Sequence, residues 1–299
     1  MKKILFFLLF LAFFIIPAYS QPNELVVQGI SLYTQGKWQE SYDAFSKALD
    51  ADPQNTLVVS YLLDIARKKG DLMATIDAFQ RKTMASPEDP VLRAQLGVAY
   101  IAQGLYDANR LNDVLEELKQ SLSLSPDLSL AYSGMGLVYY VKRMMPRAKG
   151  YFLKALEINP NDVVALERLG EILMLDEQKP SESLKLFRKI NEILPNYPDG
   201  YFYAGSALQK IDQPQDAIEA FKKCMDLDPN GYLEGYWAPI RIADLYLLAG
   251  DKTSALEYLQ KAQVIAPKSV YIKNKIKELQ APPKTEEKTK TSKEAPKGK

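Results

Sequence analysis

Seven prolines punctuate this chain at a nearly constant interval: Pro53, Pro87, Pro126, Pro160, Pro195, Pro229 and Pro267. The gaps between them are 34, 39, 34, 35, 34 and 38 residues. A period this regular implies a stacked array of like units, each covering its neighbour's apolar face, and excludes one central globular core. It also directs attention away from catalysis and toward holding a partner on an extended surface.

Each proline carries a fixed set of neighbours. Ala155, Phe152 and Ala148 precede Pro160 by 5, 8 and 12 residues. Cys224, Phe221 and Ala217 stand at the same offsets before Pro229, as do Ala262, Leu259 and Ala255 before Pro267 and Ala48, Phe45 and Ser41 before Pro53. Small–large–small at these spacings is one face of a helix. The small residues admit a neighbouring helix and the large one fills the gap between them. The proline then stops the helix. A second cluster lies upstream: Leu96-Gly97 with Tyr100, Met135-Gly136 with Tyr139, and Ala204-Gly205 with Leu208. Glycine inside a helix costs roughly 1 kcal/mol against alanine. It is tolerable where a partner helix packs against that point. Gly36, Gly70, Gly104 and Gly250 mark the turns between the two helices.

These residues resemble the tetratricopeptide repeat, a helix–turn–helix of 34 residues. The resemblance covers nearly all of residues 22–279. It implies an all-α, right-handed solenoid of about seven repeats with a C-terminal capping helix over 268–279. Units begin near residues 22, 56, 90, 129, 163, 198 and 236. Departures from the pattern are local. Unit three carries about five extra residues around Tyr106–Arg110, unit five one near Lys179-Pro180, and about four near Gly231–Gly235 precede unit seven. Unit two has Leu62-Leu63 in place of the glycine and Lys82 at a small-residue position. Val270, Ile272, Ile276 and Leu279 form the apolar face expected of the cap.

Residues 1–20 read differently. Lys2 and Lys3 precede the apolar run Ile4–Ile16, then Pro17 and Ala18-Tyr19-Ser20. This is the pattern of a secretory signal peptide cut after Ser20. The run would cover only about 20 Å of a ~30 Å hydrocarbon core, so cleavage is preferred to retention as an anchor. Export, most readily to a bacterial periplasm, is the corresponding expectation. Residues 280–299, rich in Lys, Thr, Glu and Pro, read as a disordered tail. The body over 21–279 has 30 basic and 34 acidic residues, net −4, which argues against nucleic acid as a partner. Membrane contact follows only if the N-terminal segment is retained. Oligomeric state is left open.

The chain has no histidine. That removes Ser-His-Asp and Cys-His nucleophile pairs and histidine metal sites. No phosphate-cradling glycine motif is present. No catalytic residue, metal ligand or cofactor site is therefore expected, and the chain reads as a non-enzyme. Cys224 occupies a small core position and reads as a buried hydrophobe. Asp226 and Asp228 read as a solvated turn at a helix end.

The resemblance also places a partner. In this family the first helix of each unit lines a concave groove. Its second, fifth, ninth and twelfth positions become Asn23, Val26, Ile30 and Tyr33 in unit one, and Leu130, Ser133, Leu137 and Tyr140 in unit four. They become Val164, Glu167, Glu171 and Met174 in unit five, Asp199, Phe202, Ser206 and Gln209 in unit six, and Trp237, Ile240, Asp244 and Leu247 in unit seven. Tyr203, Arg168 and Arg241 lie one place further on. The groove candidates are Tyr33, Tyr140, Arg168, Phe202, Tyr203, Trp237, Arg241 and Asp244. The extra segment before unit seven is expected to open that end of the groove. A protein or peptide with apolar anchors suits such a lining. Val26 and Ile30 stand where some relatives use Lys and Asn to grip a terminal carboxylate, so that ligand class is disfavoured. Alternative readings are a membrane-tethered accessory subunit and a glycan- or cell-wall-binding module.

Overall fold

The computed structural model describes residues 21–104 and 110–281. Residues 1–20, on which the signal-peptide expectation rests, residues 105–109 and residues 282–299 lie outside them. The described residues form fifteen α-helices and one short 3-10 turn. Unit one pairs α1 (Gln21–Thr34) with α2 (Trp38–Ala51), and unit two pairs α3 (Thr56–Lys69) with α4 (Leu72–Ala85). Then follow α5 (Pro90–Gly104) with α6 (Arg110–Leu124), and α7 (Ser129–Val141) with α8 (Met145–Ile158). Units five to seven are α9 (Val163–Leu175) with α10 (Pro180–Ile193), α11 (Pro198–Lys210) with α12 (Pro214–Leu227), and α13 (Ala238–Leu248) with α14 (Lys252–Ile265). The terminal helix is α15 (Val270–Gln280). The architecture is an α-solenoid of tetratricopeptide type.

Each of the seven periodic prolines stands two residues past the end of a second helix. Local chemistry therefore sets the period. Proline cannot continue the helix, and the next helix starts from an extended connection. Asn55, Asp162 and Ser269 cap α3, α9 and α15, with side-chain oxygens accepting from the amides of Val58, Ala165 and Ile272.

The two helices of a unit lock through a glycine on the first and a large side chain on the second. A Cβ built on Gly136 would stand 2.5 Å from Phe152 Cε1. The same contact pairs Gly97 with Leu118 and Gly205 with Phe221. Gly29–Phe45 and Gly170–Phe187 complete the series; neither glycine stands out in the sequence alone. Unit two, which lacks the glycine, shifts its register. Lys82 is exposed, and Thr83 is buried in its place, its hydroxyl donating to Phe79 O at 3.0 Å. The hydroxyl also lies 3.1 Å from Leu92 O of the next unit.

The turn inside each unit needs a left-handed residue. Gly36, Gly70 and Gly250 supply it at φ of 74°, 82° and 80°. Arg143, Gln178 and Asp212 hold the equivalent position in units four, five and six, at φ of 57°, 53° and 59°. A side chain there costs ~1 kcal/mol or more. Replacing each of the three by glycine should raise stability by about 0.5–1 kcal/mol, part of the relief being lost to the entropy glycine gains in the unfolded chain. Urea unfolding of the triple variant would show a higher midpoint; a lower one would mean these side chains contribute contacts that outweigh the strain.

The solenoid is wound tightly enough to meet itself. The first helices α3 and α9, three units apart, are in contact. The buried Asp162 carboxylate joins three units. It caps α9, accepts from Ser133 Oγ of α7 at 2.6 Å, and accepts from Thr56 Oγ1 of α3 at 3.3 Å. Further round, unit one meets the segment between units six and seven. Asn230 Nδ2 donates to Thr34 O at 2.8 Å, and the Trp38 and Tyr232 rings meet edge to face at 4.8 Å. The extra segment therefore does not open the array. It closes it onto the first unit.

Asp228 makes that segment. Its carboxylate is buried and accepts from the amides of Tyr232 at 3.0 Å, Leu233 at 2.8 Å and Gly235 at 3.1 Å. The expectation of a solvated turn at Asp228 is corrected: three backbone donors make burial of this carboxylate tolerable. The cap also differs in detail. Ile272 is buried and Ile276 and Leu279 are half-buried, but Val270 is 68% exposed. Among the described residues no helix is long and apolar enough to cross a membrane.

Candidate functional site

Tight winding decides what the groove can be. Val26, Ile30, Leu130, Ser133, Val164, Glu167, Glu171 and Met174, all expected on the concave lining, are buried. Most concave positions of units one, four and five are therefore core, with Leu137, Tyr140 and Arg168 half-buried. The exposed candidates lie in unit seven.

The eight candidates divide accordingly. Tyr33 is 2% exposed, and the expectation of an open groove position is corrected. Its ring meets Trp38 at 5.1 Å and Tyr61 at 5.0 Å, both edge to face, and its hydroxyl donates to Asp64. Phe202 is 7% exposed and wedged between Tyr203 and Phe221, with ring centroids 5.7 and 5.6 Å away; this is inter-helix packing. Asp244 is half-buried and pairs with Lys275 of α15, so it holds the cap. Tyr140, Arg168 and Tyr203 are half-buried. Trp237 is 45% exposed, and Arg241, one helical turn on, is exposed beside it. The Trp237 ring is held edge to face against Tyr236 at 4.7 Å.

Arg168 is the centre of a charged cluster. It pairs with Glu171 and, through Nη2, with Glu167 Oε1 at 3.1 Å. Its guanidinium lies 5.6 Å over the Tyr140 ring, whose hydroxyl donates to Glu171 Oε2 at 3.3 Å. Burial works against the Arg168 charge, but the two carboxylates outweigh it and hold the group firmly protonated. Behind this pair lie groups that the sequence does not single out. Tyr197 Oη is 2.7 Å from Glu167 Oε2 and 3.2 Å from Asp199 Oδ2. One hydroxyl proton serves one acceptor at a time. Tyr197 therefore donates to Glu167, the nearer acceptor, or to Asp199. Burial, then the Glu167 and Glu234 charges, push the Asp199 carboxyl well up. Glu234, on the extra segment, has its carboxyl pushed up to about 7 by burial and by Glu167 and Glu171. Asp64 could have been found by extending the groove rule to unit two; nothing local marks Tyr197 or Glu234.

The raised carboxyls predict a pH effect with a definite sign. The folded protein binds more protons than the unfolded chain between the usual glutamate value and about 7. Stability therefore falls as pH rises through that window. The unfolding free energy should be about 1–2 kcal/mol lower at pH 8 than at pH 5.5, after discounting Glu234 for partial exposure. Glu234→Gln should flatten the profile; a stability that rises over the same range would reject the assignment.

Cys224 is buried in unit six, and burial pushes its thiol pKa far up. Among the described residues no cluster of three or more acidic or thiol groups could hold a metal.

Three family profiles described as tetratricopeptide repeat match this chain, over residues 26–90, 198–230 and 240–269. The human tetratricopeptide repeat protein 6 is 28% identical over 153 residues, which is 51% of this chain and 28% of that protein. The human protein O-mannosyl-transferase TMTC3 is 22% identical over 193 residues, 64% of this chain and 18% of that protein. The chain thus spans less than a third of the length of these curated relatives. Among solved structures, YrrB, described as a TPR protein with an unusual peptide-binding site, superposes with a TM-score of 0.51 at 25% identity. The superposition covers 68% of this chain and 99% of YrrB. A MamA structure from Desulfovibrio magneticus RS-1 shares the fold, with a TM-score of 0.50 at 22% identity over 58% of this chain and 96% of that one. The three profile matches and the paired-helix architecture support placing this chain among the tetratricopeptide repeat proteins.

Proposed function

We propose that this chain is a non-catalytic scaffold that holds a protein or peptide partner at the unit five to unit seven end of the solenoid. Tetratricopeptide repeat proteins are generally protein-interaction scaffolds. The observation that carries the reading is the division of the concave face. Most first-helix positions tested in units one, four and five are buried, Tyr140, Arg168 and Tyr203 are half-buried, and in unit seven Trp237 and Arg241 stand exposed. Aromatic side chains and arginine are the residues on which interface energy concentrates. The likeness to YrrB supports a peptide as the form of the ligand. The lack of histidine supports a non-catalytic role.

We place the protein in the cell envelope on the strength of its first twenty residues, with cleavage after Ser20. The mass of the mature protein tests this: loss of twenty residues supports export with cleavage, and retention supports a membrane tether. For partner binding, residues 21–299 would capture proteins from envelope extract beside a Tyr203→Ala, Trp237→Ala variant. A partner kept by the first and lost by a still-folded variant supports the site. Equal retention by both moves it elsewhere on the solenoid.

A further inference from the structure

Acid outnumbers base where α9, α11 and the extra segment meet. Glu167 and Glu171 of α9, Asp199 of α11 and Glu234 of the extra segment interact with one another electrostatically. Arg168 faces them from within, and Arg241 acts on Glu234 from α13. Arg168 is already committed to Glu167 and Glu171. Asp199 and Glu234 have no cation of their own among the hydrogen bonds and ion pairs of the described residues. Asp199 receives Tyr197 Oη and the Glu234 amide, and the Glu234 carboxylate receives no hydrogen bond.

An independent observation concerns Tyr61. Its side chain is 6% exposed, and its hydroxyl has no hydrogen-bond partner. The ring is fixed, stacked on Phe45 at 4.6 Å and edge to face with Tyr33 at 5.0 Å. Burial first, then electrostatic interaction with Asp199, Tyr33 and Glu167, keeps the hydroxyl protonated. An orphaned buried hydroxyl is costly, so a site that keeps one lacks a donor or acceptor that something else can supply. The Arg168–Tyr140 contact shows what this site accepts: a guanidinium over an aromatic face, tied to carboxylates. Tyr203 and Glu234 are half-buried, Trp237 and Arg241 are exposed, and Arg241 acts electrostatically on Glu234.

We infer that the site between Tyr61, Asp199, Tyr203 and Glu234 is a specificity pocket for a lysine or arginine side chain of the bound peptide. The aliphatic stem lies along Tyr203, the cationic head reaches Asp199 and Glu234, and the Tyr61 hydroxyl gains its partner. This deepens the scaffold reading and rests on it. A divalent metal is a poorer occupant, because these carboxylates do not gather as a metal-binding group.

The test uses residues 21–299 at pH 8 and two fluorescein-labelled peptides of about ten residues. One alternates lysine with leucine; the other has glutamine at every lysine. The lysine peptide should bind at least about tenfold tighter, a difference of about 1.4 kcal/mol. The Asp199→Asn, Glu234→Gln variant should lose that preference while its affinity for the glutamine peptide is unchanged. If the double variant melts early, Glu234→Gln alone, at a half-buried site, should cut the preference several-fold. Equal affinity of the wild type for both peptides overturns the pocket and leaves the scaffold standing. A preference that survives both substitutions overturns it too. Binding of neither peptide also overturns it, and the capture experiment then decides the scaffold reading separately.

Discussion

Replacing Asp228 with alanine should lower the unfolding free energy by about 3 kcal/mol. The carboxylate is buried and receives three backbone amides from Tyr232, Leu233 and Gly235. A hydrogen bond to a charged group contributes roughly 1.5–3 kcal/mol, and an unsatisfied buried donor costs a comparable amount. Partial rehydration of the segment limits the total to less than three full bonds. Asp228→Asn, with one acceptor oxygen instead of two, should cost about half as much. The effect should not stay local. The same segment carries Asn230 and Tyr232, which tie unit six to unit one. Amide exchange in α1 and α2 should therefore quicken in Asp228→Ala although those helices are unaltered. A loss under ~1 kcal/mol, or unchanged exchange in unit one, would show that the segment does not depend on this carboxylate.

Gly136→Leu should cost about 3 kcal/mol, the upper end of what overpacking usually costs. Even a Cβ at this position meets Phe152 Cε1 at 2.5 Å, and the Phe152 side chain is fully buried with no room to retreat. Phe152→Ala alone should cost about 3–5 kcal/mol through the cavity it leaves. The two together should cost clearly less than their sum, because the new leucine enters the space the phenylalanine vacated. Urea denaturation of the four proteins closes this cycle. Strict additivity would mean that the two side chains do not share one space.

Much of this was legible before any coordinates. The prolines mark the ends of the second helices because proline ends a helix wherever the rest of the chain lies. Phe152, Phe221 and Leu259 were recognisable as core because small residues at helical spacing flank them. Gly97, Gly136 and Gly205 were readable as contact points by the same logic. Gly29 and Gly170 escaped notice. The shift from Lys82 to Thr83 in unit two was also hidden, since the hydroxyl's second acceptor, Leu92 O, belongs to the following unit.

The binding site was legible only in part. The groove rule correctly selects positions on the concave face, yet it cannot say whether that face is open. Tyr33 and Phe202 obey the rule and are buried, while Trp237 obeys it and is exposed. Packing inside unit six buries Phe202, contacts within unit one and with unit two bury Tyr33, and curl adds contacts between distant units. A small rotation per repeat accumulates along a solenoid until distant units meet. The contact that closes this one, Asn230 to Thr34, joins residues 196 apart in the chain.

The sequence alone thus determined the repeat, its all-helical units and the lock inside each unit, because those interactions fall within one 34-residue period. Only the tertiary structure decided which concave positions are buried, that Asp228 holds the closing segment, and that Glu167, Asp199, Glu234 and Tyr61 act on one another electrostatically. Those groups come from units two, five and six and from the segment before unit seven. What brings them together is accumulated curvature, a property of the whole array that no single repeat specifies.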